Sequence, residues 1–341
     1  MELSKHIGFQ VENDISLWET VVRAKAIFTL LVLAGYLFFY HFISIFCSMI
    51  HYAFPETSDE IKRIFASSFW NLCIYCLTLN DFQFKVSGDE LDPDSAILLS
   101  NHLSLADHFV MAYLANYSIK KTNSTNLENR IRLPRINFFS WFTIWRLPTL
   151  RIFFNMAKCD ENWELDESIL EVVFSEVLHS KTPEWLVLFP EVNILTEGNL
   201  LLQKQQSERL CLPVLNNLLY PRFSGIFNVV TAINKKNSFK FTKIYDITIL
   251  YQREGCVENI FRAPTLVETF ASSSSPITVH IIVKARFLSR LPSKRAKLER
   301  YIEHAWIDKD KQLAQLKEKQ TFEIQNSQAT KNCNSPLYSA I

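Results

Sequence analysis

Ser100-Asn101-His102-Leu103-Ser104-Leu105-Ala106-Asp107-His108 is the stretch on which the reading of this chain turns. The apolar run Ala96-Ile97-Leu98-Leu99 leads into it and the helix-like apolar segment Phe109 to Leu114 follows, so it marks a strand-to-helix junction. It carries His102 and Asp107, five positions apart. On one continuous helix five residues turn about 500°, which leaves two side chains roughly 140° apart. A helix that starts between them lets the backbone bring them together. An imidazole held by a carboxylate is the standard general base near neutral pH. A second reading uses the same residues. Ser104-Leu105-Ala106-Asp107 before an apolar run fits a capping box, with Ser104 as N-cap and Asp107 serving only the helix start. The two are compatible, since a capped helix can present both side chains.

Upstream, residues 1–25 are mixed and polar, and Ala26 to Ile50 is almost continuously apolar with no Asp, Glu, Lys or Arg. As a helix it would span about 37 Å, enough to cross a bilayer core with some tilt. It is too long and too aromatic for a cleaved signal peptide; a buried core helix is the alternative. Arg23 and Lys25 precede it and Lys62 and Arg63 follow, so charge leaves the orientation undecided. Ile64 to Leu79 is short for a span and reads as a helix in the membrane interface or on the domain. Residues 26–80 are therefore expected to be transmembrane and membrane-associated helices. Asp81 to Ser87 alternates like a strand through Phe82, Phe84 and Val86, and Gly88-Asp89 closes it with a turn.

Downstream, 120–130 is polar and loop-like. Phe138 to Met156 is apolar and aromatic, is broken at Pro148, and suits either a lipid-contacting hairpin or a core helix pair. Ser168 to Leu178 reads as an amphipathic helix. Trp185 to Phe189 is a short strand that ends in Pro190-Glu191, which puts a carboxylate at the strand's C-terminal end, where α/β sheets gather their sites. Gln203 to Leu219 reads as a helix interrupted by proline. Val229 to Ile233, Ile244 to Tyr251 and Ile277 to Ala285 read as strands, and Leu291 to Leu316 as a charged helix. The alternation from 82 to 287 argues for an α/β domain. The polar last residues, 319–341, are expected to be disordered.

The chain of 341 residues has room for one large domain or two ordinary ones, and its net charge of +1 gives no reason to expect nucleic acid. Its six glycines are widely separated, which excludes GxGxxG and Walker A phosphate loops. Cys73-Ile74-Tyr75-Cys76, the one CxxC, lies in an apolar run with no second pair or nearby histidine, so it reads as helix packing rather than zinc or redox chemistry. No metal site is expected. A GxSxG elbow is absent, which argues against a serine hydrolase.

Asn101-His102 with Asp107 resembles the NHxxxxD box of the glycerolipid (lysophospholipid) acyltransferases. Phe189-Pro190-Glu191 with Leu195-Thr196 resembles their FPEGT box, and Leu219-Tyr220-Pro221-Arg222-Phe223-Ser224-Gly225 their later L-x-PR-x-x-G block. Asp246-Ile247-Thr248 is similar to the D-V-T strand that follows. Asn162-Trp163-Glu164-x-Asp166, and Trp306 with Lys309-Asp310, resemble segments of the eukaryotic lysophosphatidate and lysocardiolipin acyltransferase branch. The resemblance covers roughly residues 25 to 315 in the family's order. It departs at Val192-Asn193, where the family has Gly-Thr, and at Glu161, where the family usually has an arginine. Valine at the first of these resists the positive φ that glycine accepts.

The resemblance implies an acyltransferase domain at 81–318, with a central mostly parallel sheet flanked by helices and preceded by an N-terminal membrane helix. It implies transfer of a fatty acyl group from acyl-CoA, as co-substrate and with no further cofactor, to a lysophospholipid hydroxyl. His102 would be the general base and Asp107 would hold its tautomer. Glu191 would position the acceptor's glycerol hydroxyls. Arg222, Lys158, Arg146 and Arg151 are candidates for lipid phosphate or CoA, since cationic side chains suit phosphate. The partner is a phospholipid membrane. The expected location is integral to the endoplasmic reticulum membrane, with mitochondria or lipid droplets as alternatives. The departures favour a different class, a relative without turnover that binds lipid in membrane or wall assembly.

Overall fold

The computed structural model describes residues 3–123, 133–140, 143–145, 147, 174–235, 240–254, 259–271 and 276–333. The apolar runs on either side of the His-Asp stretch build its centre. Strands β1 (Phe82–Gly88), β2 (Ala96–Ser100), β3 (Arg135–Ser140), β4 (Thr143–Trp145), β5 (Glu184–Leu188), β6 (Lys243–Arg253) and β7 (Ile277–Phe287) form one sheet in the order β1-β7-β6-β2-β5-β3-β4. Pairs β1–β7, β2–β6, β2–β5 and β3–β5 are parallel, and β6–β7 and β3–β4 are antiparallel. The mostly parallel α/β sheet is as expected.

β2 and β5 lie in the middle and are buried along their whole length. This is why they read as unbroken apolar runs rather than alternating ones. Their side chains still part by the two-residue period. Ala96, Leu98, Trp185 and Val187 enter one core layer, and Ile97, Leu99, Leu186 and Leu188 the other. β6 divides likewise: Tyr245, Ile247, Ile249 and Tyr251 face the first layer, while Ile244 and Leu250 face the second. Gly88 ends β1 at φ 96°, where an added Cβ would lie 2.1 Å from the Val283 carbonyl oxygen. Only glycine fits that approach.

Helices α1 (Leu3–Ile50), α2 (Pro55–Leu79) and α3 (Asp107–Asn123) belong to the first layer. Pro55 opens α2 at a position that needs no N–H donor. Two bonds tie α2 to α1: the Ser58 hydroxyl donates to the Cys47 carbonyl at 2.7 Å, and Tyr36 OH to the Phe65 carbonyl at 3.0 Å. The outward face of α1 carries exposed Phe28, Leu31, Phe38, Phe42, Phe46 and Met49. Among the described residues one helix segment, Glu19–Ile50, is long and apolar enough to cross a membrane, and only 11% of its most apolar window is buried. Further along the chain stand helices α4 (Glu197–Leu210), α5 (Ser224–Lys235), the short α6 (Leu266–Phe270) and α7 (Arg295–Cys333). α5 and α7 line the second layer.

Several expectations are corrected. Val229 to Ile233 is helical, not a strand: Ile226, Val229, Val230 and Ile233 recur at the helical spacing and bury one face of α5. The helix expected over 203–219 lies at Glu197–Leu210 instead. The Thr196 side chain caps its start and Cys211, at φ 53°, ends it. Of the segment 138–156, residues 138–140 and 143–145 pair as the antiparallel strands β3 and β4 at the sheet edge rather than as a core helix pair, and 141–142, 146 and 148–156 lie outside the described residues. Helix α1 begins far before residue 26. Residues 319–333, expected to be disordered, continue α7: the Thr321 hydroxyl bonds the Lys317 carbonyl, Lys319 pairs with Glu323, and Gln320 is buried. The helix expected over 168–178 is described only at 174–179.

Candidate active site

The turn after β2 is a strand-to-helix connection made by its own side chains. Asn101 extends the sheet past the strand's end: its amide donates to the Ile249 carbonyl at 2.9 Å and its Oδ1 accepts the Ile249 N–H at 2.8 Å. Ser104 hydroxyl donates to the Pro264 carbonyl and accepts the Ala106 N–H. Asp107, the first residue of α3, reaches back over this turn. Its Oδ2 accepts the N–H groups of Leu103 (2.7 Å) and Ser104 (2.9 Å) and lies 2.9 Å from His102 Nδ1. One carboxyl group thus serves the helix start and faces His102, but the expected capping box is only half made: Asp107 opens α3 rather than standing at its third position, and the Ser104 hydroxyl bonds Ala106 instead of Asp107.

Asp107 Oδ1 accepts the Tyr251 hydroxyl at 2.7 Å. Asp107 is fully buried and His102 is 2% exposed. A carboxyl that faces only donors assigns the His102 proton to Nδ1 and leaves the Nε2 lone pair on the other side of the ring. Among the described residues nothing bonds that Nε2. Phe189 stacks on the His102 ring at 4.4 Å between centroids. Burial pushes the Tyr251 hydroxyl pKa well up, and Asp107 adds to this, so it stays a donor.

His108, the second residue of α3, sits beside the pair. Its ring centroid is 5.7 Å from that of His102, 4.7 Å from Phe138 and 5.3 Å from Phe189. Its Nδ1 lies 3.2 Å from the Leu105 carbonyl. Burial, and next the neighbouring His102, push its pKa down to about 4 against the opposing pull of Asp107 and the Leu105 carbonyl. His108 is neutral at pH 7.

The β5 strand ends next to β2, and its Phe189-Pro190-Glu191 turn packs against the His102 turn. Glu191 is 2% exposed. Its Oε2 accepts the Leu219 N–H at 3.2 Å, its Oε1 accepts Trp306 Nε1 at 3.3 Å, and it also accepts the His102 backbone N–H. Burial raises its pKa to about 8 against these donors and Lys309. In this geometry Glu191 is a clasp between three segments.

Val192 follows at φ 64°, and the Asn193 N–H bonds back to the Glu191 carbonyl at 2.7 Å, a γ-turn centred on valine. The chain thus keeps the backbone turn that glycine would make freely, at the cost of strain in a β-branched residue. The Leu195 N–H then donates to the His102 carbonyl at 3.1 Å. The Arg222 N–H bonds the Pro190 carbonyl at 2.7 Å, which brings the exposed Arg222 to this junction.

Helix α7 holds the assembly from behind. Trp306 bonds Glu191, as above. Lys309, 1% exposed, pairs with Asp246 at 2.6 Å, donates to the Ile247 carbonyl at 2.8 Å and lies 4.3 Å from the Trp306 ring centre. Asp310 accepts the Asn216 and Asn217 N–H groups. A cavity of about 210 Å³ opens beside Leu103 and Leu195, walled by Leu200, Leu250, Phe261 and Lys317 among others.

The structure therefore joins His102, Asp107, Glu191 and Arg222 at the carboxyl ends of β2 and β5. Arg146, Arg151 and Lys158, with Glu161 and the Asn162-Trp163 segment, lie outside the described residues. Sequence reasoning gave no role to Tyr251 or His108. Tyr251 carries a signal, because it shares the inward face of β6 with Ile249, the residue Asn101 bonds. Among the described residues no group of three or more His, Cys, Asp or Glu is placed to hold a metal ion.

No protein-family model matches the chain. A probable 1-acyl-sn-glycerol-3-phosphate acyltransferase 5 of Arabidopsis thaliana is 24% identical over 239 residues, which cover 69% of this chain and 57% of the relative. Lysocardiolipin acyltransferase 1 of Gallus gallus is 23% identical over 236 residues, covering 68% and 57%. Lysophosphatidylinositol acyltransferase 10 of Caenorhabditis elegans is also 23% identical over 236 residues, covering 68% and 55%. The chain spans little more than half the length of these curated relatives. They are the glycerolipid acyltransferases that the sequence boxes resemble. The crystal structure of the 1-acyl-sn-glycerophosphate acyltransferase PlsC from Thermotoga maritima overlaps 83% of this chain and 96% of its own at 12% identity, with a TM-score of 0.39, too distant an overlap to argue from.

Proposed function

We propose that this chain transfers a fatty acyl group from acyl-CoA to a lysophospholipid hydroxyl at a membrane, with His102 as general base. The observation that carries the reading is the His102 Nδ1–Asp107 contact of 2.9 Å, which leaves Nε2 as the basic edge. The acceptor's O–H donates to Nε2. As the proton moves to His102, the oxygen bonds the thioester carbonyl carbon. The carbon–sulfur bond then breaks, and the CoA thiolate leaves and takes the proton back from the imidazolium. Asp107 stabilises that imidazolium, and no enzyme nucleophile is needed.

The acceptor of such a reaction keeps a long acyl chain in the bilayer, so the apolar outer face of α1 suits it. The cavity beside Leu103 offers apolar walls to part of a chain. Arg222, Arg146, Arg151 and Lys158 are the candidate phosphate contacts. An integral location in the endoplasmic reticulum membrane goes with this reading. The rival, a lipid-binding relative without turnover, draws on Val192, yet Val192 adopts the left-handed turn rather than deforming the loop.

The test is acyl transfer by the full chain in membranes, with labelled oleoyl-CoA and a panel of lysophospholipids, against His102→Ala. Diacyl product from wild type and a loss on the order of 10²-fold or more in the variant supports the base assignment. Equal rates sink it. Undiminished lipid binding with no product across the panel favours the rival.

A further inference from the structure

Two lysines of α7 give up water on folding, and they are compensated differently. Lys309 pairs with Asp246. Lys317, about two turns further on, is half-buried and donates to Asn217 Oδ1 at 2.7 Å, a neutral acceptor. Among the described residues no carboxylate forms an ion pair with Lys317. Asp310 acts on it through space, but that carboxylate is held by the Asn216 and Asn217 N–H groups. Burial lowers the Lys317 pKa against the pull of Asp310, as expected of a cation short of counter-charge.

This ammonium lines the cavity beside Leu103. Leu103, Leu250 and Leu313 are buried at its floor, and Glu197 and Arg262 are exposed at its rim. The Phe261 ring, centred 6.0 Å from the Lys317 nitrogen, lines it as well. An apolar floor beside one under-compensated ammonium matches an amphiphile with an anionic head. Arg262 is committed to Glu268, and Glu197 on the rim repels a second negative charge. A singly charged head therefore suits the cavity better than a phosphate monoester. A carboxylate with a short run of chain also fits about 210 Å³ more readily than a phosphodiester, which carries groups on both sides. We propose that this cavity is a binding site for a fatty carboxylate, with the head on Lys317 and the chain on the leucine floor. The ligand supplies the counter-charge that folding leaves out, and its chain covers apolar surface. The proposal needs only the cavity and Lys317, not the acyl-transfer reading.

The experiment measures binding to the full chain in phosphatidylcholine nanodiscs at neutral pH, without acyl-CoA, with empty nanodiscs subtracted for partition. The probes are octanoate, octanol and octyl phosphate. Octanol has the chain without the charge, and octyl phosphate carries close to two negative charges. Wild type should bind octanoate tenfold or more tighter than octanol, and tighter than octyl phosphate. Lys317→Met keeps the stem and removes the charge. It should lose the preference for octanoate over octanol, and should melt no lower than wild type, because a half-buried ammonium without a carboxylate partner costs stability. Lys317→Arg should keep part of the preference. Leu200→Phe fills the cavity with the charge in place and should weaken octanoate tenfold or more. Octanoate should raise the thermal midpoint of wild type and leave that of Lys317→Met where it is. Equal binding of octanoate and octanol by wild type overturns the proposal, and that comparison needs no variant. Octanoate binding that survives in Lys317→Met also overturns it, and would place the site elsewhere. Tighter binding of octyl phosphate overturns the carboxylate assignment in favour of a phosphate-headed lipid. Acyl transfer is not read in this assay, so failure of the acyl-transfer reading is seen separately.

Discussion

The Tyr251 hydroxyl on β6 donates to Asp107 at the start of α3 across 2.7 Å, so the carboxyl that orients His102 is itself oriented from the neighbouring strand. Asp107 faces His102, two backbone N–H groups and this hydroxyl at once. Tyr251→Phe removes one of the four and leaves the ring packing. It should cost about 1 kcal/mol of stability and lower acyl transfer roughly tenfold, with little change in KM. Asp107→Asn aims an amide at donors it cannot satisfy, and should lose on the order of 10³-fold or more in kcat. Urea unfolding and steady-state kinetics of both variants check the order. A Tyr251→Phe enzyme as impaired as Asp107→Asn would mean that tyrosine does more than orient.

Two buried groups give stability opposite slopes with pH. Glu191 has its folded pKa raised from 4.5 to about 8, so the folded state holds the proton more tightly. Its contribution is full below about pH 4.5 and is lost as pH rises toward 8. His108 has its folded pKa lowered from 6.5 to about 4, so its contribution is full above pH 6.5 and is lost as pH falls toward 4. Between 4.5 and 6.5 the two oppose each other, and above 6.5 Glu191 acts alone. The unfolding free energy of wild type from urea titration should fall from pH 6.5 to 8.5, by an amount on the order of a few kcal/mol. Glu191→Gln should remove that fall. A fall that persists in Glu191→Gln would assign the slope to another group.

Val192 offers a test of stored strain. Its left-handed conformation costs an L-residue about 1–2 kcal/mol, more for a branched one. Glycine relieves this but gives back up to about 1 kcal/mol in unfolded-chain entropy. Val192→Gly should therefore be neutral to about 1 kcal/mol stabilising, although a side chain is deleted, whereas Val192→Ala should not stabilise. Thermal melts of the two variants decide. A Val192→Gly protein that melts well below wild type would show that the valine side chain packs for more than its backbone costs.

Lys309 is a buried cation ion-paired with Asp246, and its charge also reaches Glu191. Lys309→Met strands Asp246 and the Leu99 and Ile247 carbonyls, and should cost about 3–5 kcal/mol. The double variant Lys309→Met with Asp246→Leu should recover much of that loss. A double variant as unstable as the single would show that the carbonyl bonds, not the ion pair, are what lysine supplies.

What the sequence disclosed followed the physics of each element. β2 and β5 were legible because strands buried on both faces must be apolar throughout, and the His102–Asp107 junction because a strand handing over to a helix changes period. α5 was misread because Val229, Val230 and Ile233 are β-branched or apolar neighbours in a short window, and their helical face shows only when Ile226 is included. Residues 319–333 were misread because a polar composition hides helix-making pairs such as Lys319–Glu323. Glu191 was legible as a carboxylate at a strand's end, but not as a clasp. Its partners, Leu219 and Trp306, come from loop and helix far along the chain, and spacing carries no trace of them.

The grip of α7 on Glu191, Asp246 and the 216–217 loop has a consequence for how the protein is made. Every strand among the described residues precedes α7, and the Trp306 and Lys309 contacts are non-local. A nascent chain can pair its sheet and bring His102 to Asp107 while residues 306–310 are still in the ribosome, yet Glu191 then lacks its indole donor. Completion of the support for the His102 turn is deferred until residues 306–310 have emerged, an ordering in time written into the order of the chain.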